Sequence, residues 1–411
     1  MNYKKRALSE KLKLLVSHFP VVVVSGARQV GKTTLIRQLF PDWDLVTFDP
    51  VVDIGNARTD PELFLRNHPC PLVLDEIQYS PELVPSIKRI VDADKQAGMY
   101  LLTGSQQWSV LRSISESLAG RAVFVDLEGF SLAEIAGELR QPDWLQAYLD
   151  DPEAFLNSKA RRLTLSRTLY ETLWRGALPE AESLPETLLP DFHSAYLRTY
   201  IERDVRLILE AGDWSQFGSF VQLLAALTAQ EINHSQLGRE VGVTPQTAKR
   251  WLSVLQATFQ WHEVPAWSGN LIKRISSKPK GHFSDPGLVC ALQRISSPQT
   301  LSGHPLTGAL FESAVVGEIR KRLAPLSPRP NLHHWRLHSG SEVDLLLERD
   351  GCLYPLEIKL TSRPKPKDAR GISAFCELYP KRRIAPGLVI APVEAVEQLT
   401  PHAHAIPWDL Q

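Results

Sequence analysis

Residues 26–33 read Gly-Ala-Arg-Gln-Val-Gly-Lys-Thr, between the apolar run VVVVS and an amphipathic segment, and no other feature restricts the fold of this chain as strongly. Gly26 and Gly31 let backbone amides curl around a polyphosphate. Lys32 offers a point charge to the β and γ oxygens, and the Thr33 hydroxyl suits Mg2+. A helix starting at Gly31 would turn its positive N-terminal end toward the same anion. Ala27, Arg28, Gln29 and Val30 complete the loop and Thr34 follows it, so residues 26–34 are the candidate nucleotide-binding segment. Such a loop needs a strand before it and a helix after it, which commits the N-terminal region to an α/β core.

The surrounding pattern agrees. Short apolar runs at VVVVSG (21–26), DLVTFD (44–49), PLVLDE (71–76), MYLLTGS (99–105) and RAVFVDL (121–127) alternate with amphipathic stretches. Strands apolar on both faces and separated by helical periods imply a parallel sheet covered by helices. The third run ends in Asp75-Glu76, at the carboxyl edge where ligands of open α/β sheets gather. Asp75 is the candidate to hold Mg2+ through water, and Glu76 to polarise the attacking water of a hydrolysis. The fourth run ends in Thr103-Gly104-Ser105, whose Thr103 and Ser105 are candidate γ-phosphate sensors.

Leu111, Ile114 and Leu118 mark one face of a helix that ends at Gly120 and leaves Arg121 exposed. An arginine so placed can act catalytically as a finger on a neighbouring subunit's γ-phosphate, which would make the chain a ring or a dimer, with Arg112 as the second candidate. The plainer reading is a surface arginine paired with Glu128 or Asp126.

Forty-six basic residues balance 46 acidic ones, so no strongly basic surface or acidic tail is expected over the chain as a whole. The first twenty residues are too polar for a secretory core and no stretch reaches the length of apolar residues a spanning helix needs, so no membrane is expected and a cytoplasmic protein is. Cys70, Cys290, Cys352 and Cys376 are widely spaced, which favours reduced packing thiols over disulfides or a zinc knot.

From about 140 to 215 the strand signal gives way to helical spacing, as in Leu163, Leu165, Leu169 and Leu173, with a break at Trp174-Arg175-Gly176. Residues 217–256 form three helical segments followed by strand-like runs near 258–267 and 281–284. Within them Ser235 can cap a helix carrying Leu237 and Val241, Gly242 makes a turn, and Thr244-Pro245 starts the next helix. Ala248, Leu252 and Leu255 would face inward. Gln246, Thr247, Lys249, Arg250 and Ser253 would face out, a mix suited to phosphate and base-edge contacts. Lys273, Arg274, Lys278 and Lys280 would add positive charge in a following wing. A helix over 306–323 carrying Glu312, strands near 332–338, 342–348, 352–360 and 386–391, and a hairpin at Asp350-Gly351 complete a second α/β unit.

The motifs GARQVGKTTL, LVLDEIQ, LLTGSQ and SLAGR resemble, in order and spacing, the prokaryotic AAA-type ATPases that carry a C-terminal domain of unknown function. WRGALPE (174–180), YIERDV (200–205), FSDPGL (283–288), LFESAV (310–315), GSEVDLLL (340–347) and LEIK (356–359) are similar to that family's later signatures. The resemblance implies an AAA fold, ATP, Mg2+ and an oligomer. Arg175, Arg203 and Asp204 fall on these motifs without a role that the residues themselves disclose. At the C-terminus, Glu312 on a helix, Asp344 on a strand, and Glu357 with Lys359 on one face of the next strand resemble the PD-(D/E)XK nucleases. In that family the carboxylates bind Mg2+ and the lysine orients the water. Val343 stands where the family has proline. A buried ion pair of Glu357 with Lys359 or Arg336 is the structural alternative, and a fold that binds DNA without cutting it is another.

The expected organisation is therefore a P-loop AAA-type core over 1–140, a helical lid over 141–215, a winged helix over 216–290 and a restriction-endonuclease-like α/β domain over 300–411. The expected activity is ATP hydrolysis in a homo-oligomer coupled to DNA binding or remodelling. An ATP-gated Mg2+ nuclease and a nucleotide-dependent switch that binds a protein partner are the alternatives.

Overall fold

In a computed structural model of the chain, the five apolar runs of the N-terminal region become β1 (Val21–Ser25), β2 (Asp44–Thr47), β3 (Leu72–Asp75), β4 (Tyr100–Gly104) and β5 (Ala122–Asp126). The structure describes residues 3–105, 118–159, 161–199, 214–269, 278–337 and 340–411. Leu111, Arg112, Ile114, Arg203, Asp204, Lys273 and Arg274 lie outside the described residues. The chain divides into two compact units, the first made of Lys5–Phe130 with Ser253–Gln260 and the second of Met1–Lys4, Ser131–Leu252 and Trp261–Gln411.

In the first unit the five strands form one parallel sheet in the order β2-β3-β4-β1-β5. β1, β3 and β4 are buried along their whole length, as strands covered on both faces must be. Helices Lys32–Leu39, Pro61–Asn67 and Leu83–Asp94 supply Leu35, Ile36, Phe64, Leu83, Val84 and Ile87 to the interior. Asp60 caps its helix by accepting from the Leu63 amide at 3.0 Å, with Pro61 in the first turn where the missing N–H is no loss. The strand order puts β4 between β3 and β1. The carboxyl ends of β3 and β4 therefore lie beside the loop that leaves β1.

In the second unit the region 132–199 is a series of helices, but not with the boundaries the leucine spacing suggests. Leu163 and Leu165 are not helical and pack with Leu132 and Ala133. The helix begins at Leu169, where Thr168 and Glu171 form a capping box. Thr168 offers the amides a side-chain partner, and that fixes the start against the apolar period. Helices Trp214–Ala226, His234–Val241 and Pro245–Ala257 follow, the last running on into Ser253–Gln260 of the first unit. The cap of the second is Asn233, not Ser235: its Oδ1 accepts from the Ser235 and Gln236 amides. Three antiparallel strands, β6 (Gln230–Glu231), β7 (Trp261–Val264) and β8 (Lys280–Phe283), pair in the order β6-β8-β7.

The rest of the second unit is a seven-stranded mixed sheet. Its strands are β9 (Asn331–Arg336), β10 (Glu342–Arg349), β11 (Cys352–Ile358), β12 (Arg383–Ile384), β13 (Gly387–Ala391), β14 (Glu397–Thr400) and β15 (Ala403–Pro407), with the long helix Thr307–Leu323 preceding them. The order is β14-β15-β13-β11-β10-β9, with β12 beside β11. Asp350 and Gly351, both at positive φ, make the tight β10–β11 turn, the backbone that a two-residue hairpin needs. Trp267, Trp335 and Phe375 form the aromatic centre of one core, with ring centroids 5.4 and 5.1 Å from Phe375. Two of the sequence signatures meet in this unit: Asp285 Oδ2 accepts from the Ala177 amide at 2.7 Å. Arg175, buried, donates to the Ala181 and Leu184 carbonyls, so its place is a structural one.

Candidate functional site

The loop after β1 is shaped by close approach. A Cβ on Gly26 would lie 2.1 Å from the Leu127 carbonyl oxygen, so only glycine lets the chain pass. Gly31 has φ 91 and caps the helix Lys32–Leu39, and Gln29 adopts φ 59. Lys32 is buried, its Nζ donating to the Gly26 and Ala27 carbonyls at 2.8 and 2.9 Å. Arg28 donates to the Tyr79 hydroxyl at 2.9 Å. Val30 is buried and Thr34 is exposed.

Asp75 is the polar hub of the sheet edge. It is 3% exposed and accepts from three hydroxyls: Thr33 Oγ1 at 3.0 Å, Thr47 Oγ1 at 3.2 Å and Thr103 Oγ1. Thr103 Oγ1 in turn accepts from the Glu76 amide at 3.1 Å. Glu76 stands at φ 59 immediately after β3. Its carboxylate accepts from Gln78 Nε2, which also donates to Ser105 Oγ at 3.1 Å. The expected acid and sensor residues Asp75, Glu76, Thr103 and Ser105 are thus joined with Thr33 of the loop into one hydrogen-bonded group, while Lys32 bonds within the loop itself.

The sequence did not single out two further residues, Thr47 in this group and Arg6 at the phosphate loop. Thr47 reaches Asp75 because β2 is the neighbour of β3. Arg6, 4% exposed, donates to the carbonyls of Val30 (2.8 Å), Glu128 (2.6 Å) and Gly129 (3.3 Å) and lies 4.9 Å over the Phe130 ring. It ties the phosphate loop to the segment after β5. Arg121 lies apart from Asp75 chemically: it pairs with Asp92 through Nη2 at 2.9 Å, not with Glu128 or Asp126. Asp92 is on the helix Leu83–Asp94, a proximity that only the folded chain creates.

In the second unit Gln246, Lys249 and Arg250 are exposed and Thr247 is half-buried, while Ala248 and Leu252 are buried. Thr244 Oγ1 accepts from the Thr247 amide at 3.1 Å and so caps this helix.

The third group is the carboxylate–lysine cluster. Lys359 Nζ lies 3.3 Å from Asp344 Oδ2 and 3.0 Å from Glu357 Oε2, and the Ile358 amide donates to Asp344 at 3.0 Å. Arg336 pairs with Glu231 and Glu342 instead of Glu357. Lys280 belongs here too. Read from sequence as a surface charge of the wing, it is buried in β8, with Nζ 2.5 Å from Glu312 Oε1 and 3.1 Å from Asp344 Oδ1. Glu312 Oε1 and Glu357 Oε2 meet these ammonium groups as ion contacts without aligned hydrogen bonds. Burial opposes the charge on Asp344, but Lys280 and Lys359 outweigh it and hold the carboxyl well below its usual range. Burial, then the Asp344 charge, pushes Glu312 up to about 8 and Glu357 well above the usual range. Gly371 allows this packing, since a Cβ there would meet Glu342 O at 1.7 Å and Glu357 Oε1 at 2.2 Å.

All four cysteines are free, and no helix among the described residues is long and apolar enough to cross a membrane.

The loop, the hydroxyl-ringed aspartate and the parallel sheet define an ATPase of the P-loop, AAA type, a class that uses ATP and typically Mg2+. Comparison with known proteins agrees: residues 18–136 match the family model described as an AAA domain. Residues 166–299 and 307–410 match two domains of unknown function, DUF8612 and DUF4143. The chain is 28% identical over 365 residues to uncharacterised proteins of Mycobacterium tuberculosis and Mycobacterium bovis, covering 89% of this chain and 76% of theirs. Among solved structures, a Walker-type ATPase of Pyrococcus abyssi matches at 13% identity and a TM-score of 0.43, over 71% of this chain and 99% of that one. Thermotoga maritima RuvB matches at 16% identity and a TM-score of 0.30, over 63% and 89%.

Proposed function

We propose that this chain hydrolyses ATP in a homo-oligomer and couples the turnover to binding or remodelling DNA in the cytoplasm. The observation that carries the ATPase half is the buried Asp75 carboxylate, ringed by the Thr33, Thr47 and Thr103 hydroxyls beside the Lys32 loop. Residues of this kind fit Mg2+ and a nucleotide: a carboxylate and a hydroxyl suited to a hard cation, and a loop whose first glycine admits no side chain. Mg2+, when bound, neutralises charge on the phosphate oxygens.

The roles of the chain's own groups follow. Lys32 exchanges the Gly26 and Ala27 carbonyls for phosphate oxygens. Residues 26–34 wrap the phosphates with backbone amides, Thr33 and Asp75 hold the metal side, and Glu76 orients water once Gln78 releases it. Thr103 and Ser105 link that event to β4. Arg121 serves a neighbouring subunit after leaving Asp92.

The DNA half is supported by the exposed Gln246, Lys249 and Arg250 on the second helix of a helix–turn–helix pair in a proposed winged helix, and Lys273 and Arg274, outside the described residues, are the further basic residues proposed to contact DNA. The free thiols suit a reducing compartment. The test is ATP turnover of the full chain and of Lys32→Ala with duplex, single-stranded and branched DNA. We expect stimulation by at least one DNA that fades as salt rises, and none in Lys32→Ala. Turnover indifferent to every DNA would remove the DNA half. Full activity in Lys32→Ala would remove the reading altogether.

A further inference from the structure

Glu312, Asp344, Glu357 and Lys359 stand on a helix, on a strand and at the end of the following strand, the order that in the sequence resembles the PD-(D/E)XK nucleases. The cluster also contains an ammonium that such a centre has no use for. Lys280 enters from β8, a strand of the three-stranded sheet, and its Nζ sits on Glu312 Oε1 at 2.5 Å and Asp344 Oδ1 at 3.1 Å. We infer that Lys280 is the resident cation of this cluster, so that the C-terminal α/β unit takes up no divalent metal ion and does not cut DNA by metal-assisted hydrolysis.

Four observations support this. A Mg2+ ion held by these carboxylates would lie about 2.0–2.1 Å from their oxygens and would need room for its own waters. Lys280 Nζ already occupies the space against two of the three carboxyl groups, and Lys359 faces the third. Charge weighs the same way, since burial favours the uncharged form of Glu357 and the two ammonium groups then balance the other two carboxyl groups while repelling a dication. Nor can Lys280 readily withdraw. Its neighbour Gly281 lies flush under Trp261, where a Cβ would come within 2.0 Å of the ring, and β8 is paired along its length with β7. Among the described residues, no group of three or more His, Cys, Asp or Glu side chains is placed to hold a metal ion. The inference is independent of the DNA reading, because it concerns the cation alone.

Mn2+ is the probe. The nucleotide-free full chain is titrated with Mn2+ and the free ion followed by electron paramagnetic resonance, for wild type, Glu312→Gln, Lys280→Ala and the double variant, each checked for folding by circular dichroism. Wild type and Glu312→Gln should bind Mn2+ alike. Lys280→Ala should gain one equivalent at least about tenfold tighter than any wild-type site, and the double variant should lose it. A bound equivalent that wild type possesses and Glu312→Gln lacks would overturn the inference, as would a folded Lys280→Ala that gains nothing. If Lys280→Ala does not fold, Lys280→Gln takes its place and the wild-type comparison with Glu312→Gln still decides.

Discussion

Arg6→Ala tests how the phosphate loop is held in shape. The guanidinium is 4% exposed and bonds the Val30 and Glu128 carbonyls at 2.8 and 2.6 Å, with a longer bond to Gly129 at 3.3 Å. A hydrogen bond to a charged donor contributes about 1.5–3 kcal/mol, so the two short ones together supply roughly 3–6 kcal/mol. Water entering the vacated volume would recover part of this, and we expect the variant to lose about 3 kcal/mol. At about 2 kcal/mol per molar urea, the unfolding midpoint should fall by roughly 1.5 M. The functional effect is separable, because the Val30 carbonyl belongs to the loop itself. Without its anchor the loop amides lose their fixed spacing, and KM for ATP should rise at least about tenfold while kcat changes less. Arg6→Lys, which keeps one charged donor, should recover part of both. Arg6→Ala with an unshifted urea midpoint and a KM within about twofold of wild type would refute the reasoning.

Thr103→Val removes the hydroxyl that joins Asp75 to the Glu76 amide, and should lower kcat by about 10- to 100-fold, the worth of about 1.4–3 kcal/mol, with nucleotide affinity nearly unchanged; an equal loss in binding of a non-hydrolysable ATP analogue would argue against a positioning role. Arg121→Ala breaks an exposed pair with Asp92 and should leave the melting temperature unmoved while lowering ATP turnover only at protein concentrations where subunits assemble. Turnover equal to wild type at every concentration would dismiss the finger. Burial holds His262 and His282 well below their ordinary value near 6.5, with Arg320, Lys321 and Lys280 opposing protonation and Asp344 favouring it at His282. Below that value the unfolded chain binds more protons than the folded one, so stability present above about pH 6.5 should be lost progressively as pH falls. Urea midpoints between about pH 7.5 and 5.5 will show this, and His262→Phe should shrink the drop; an unchanged drop would mean that other groups cause it.

The sequence disclosed what is local. The three buried strands β1, β3 and β4 and the two less buried strands at the sheet edges announce themselves by short apolar runs, and Lys32, Thr33, Asp75 and Glu76 follow from the chemistry of one loop and one strand end. Partners brought together by the fold left no such mark. Thr47 sits on an ordinary strand, Arg6 precedes the first helix among other basic residues, and Asp92 is one of many acidic helix positions. Lys280 was legible as a charge and misplaced as a surface one, because β8 is only four residues long and its burial depends on two separate sheets. The leucines at 163–173 mimicked a helical period, which the capping box at Thr168 interrupts. Ser235 and Asn233 are both able caps, and only the backbone geometry at Asn233 decided between them.

Lys280 also has a consequence for how the second unit reaches its final arrangement. A side chain period of two means that a one-residue slip of β8 would carry Lys280 to the opposite face. Glu312 and Asp344 would then be buried against each other, and an ammonium would be stranded away from both. Breaking a buried pair in this way costs roughly 3–5 kcal/mol. Lys359 can pair with Asp344 within the β10–β11 hairpin, but Lys280 meets both Glu312 and Asp344 only once β8, the helix Thr307–Leu323 and that hairpin have all docked. Misaligned packings that bury as much apolar surface would still fail this test of charge, and the cluster thereby works as a proofreading device for strand register.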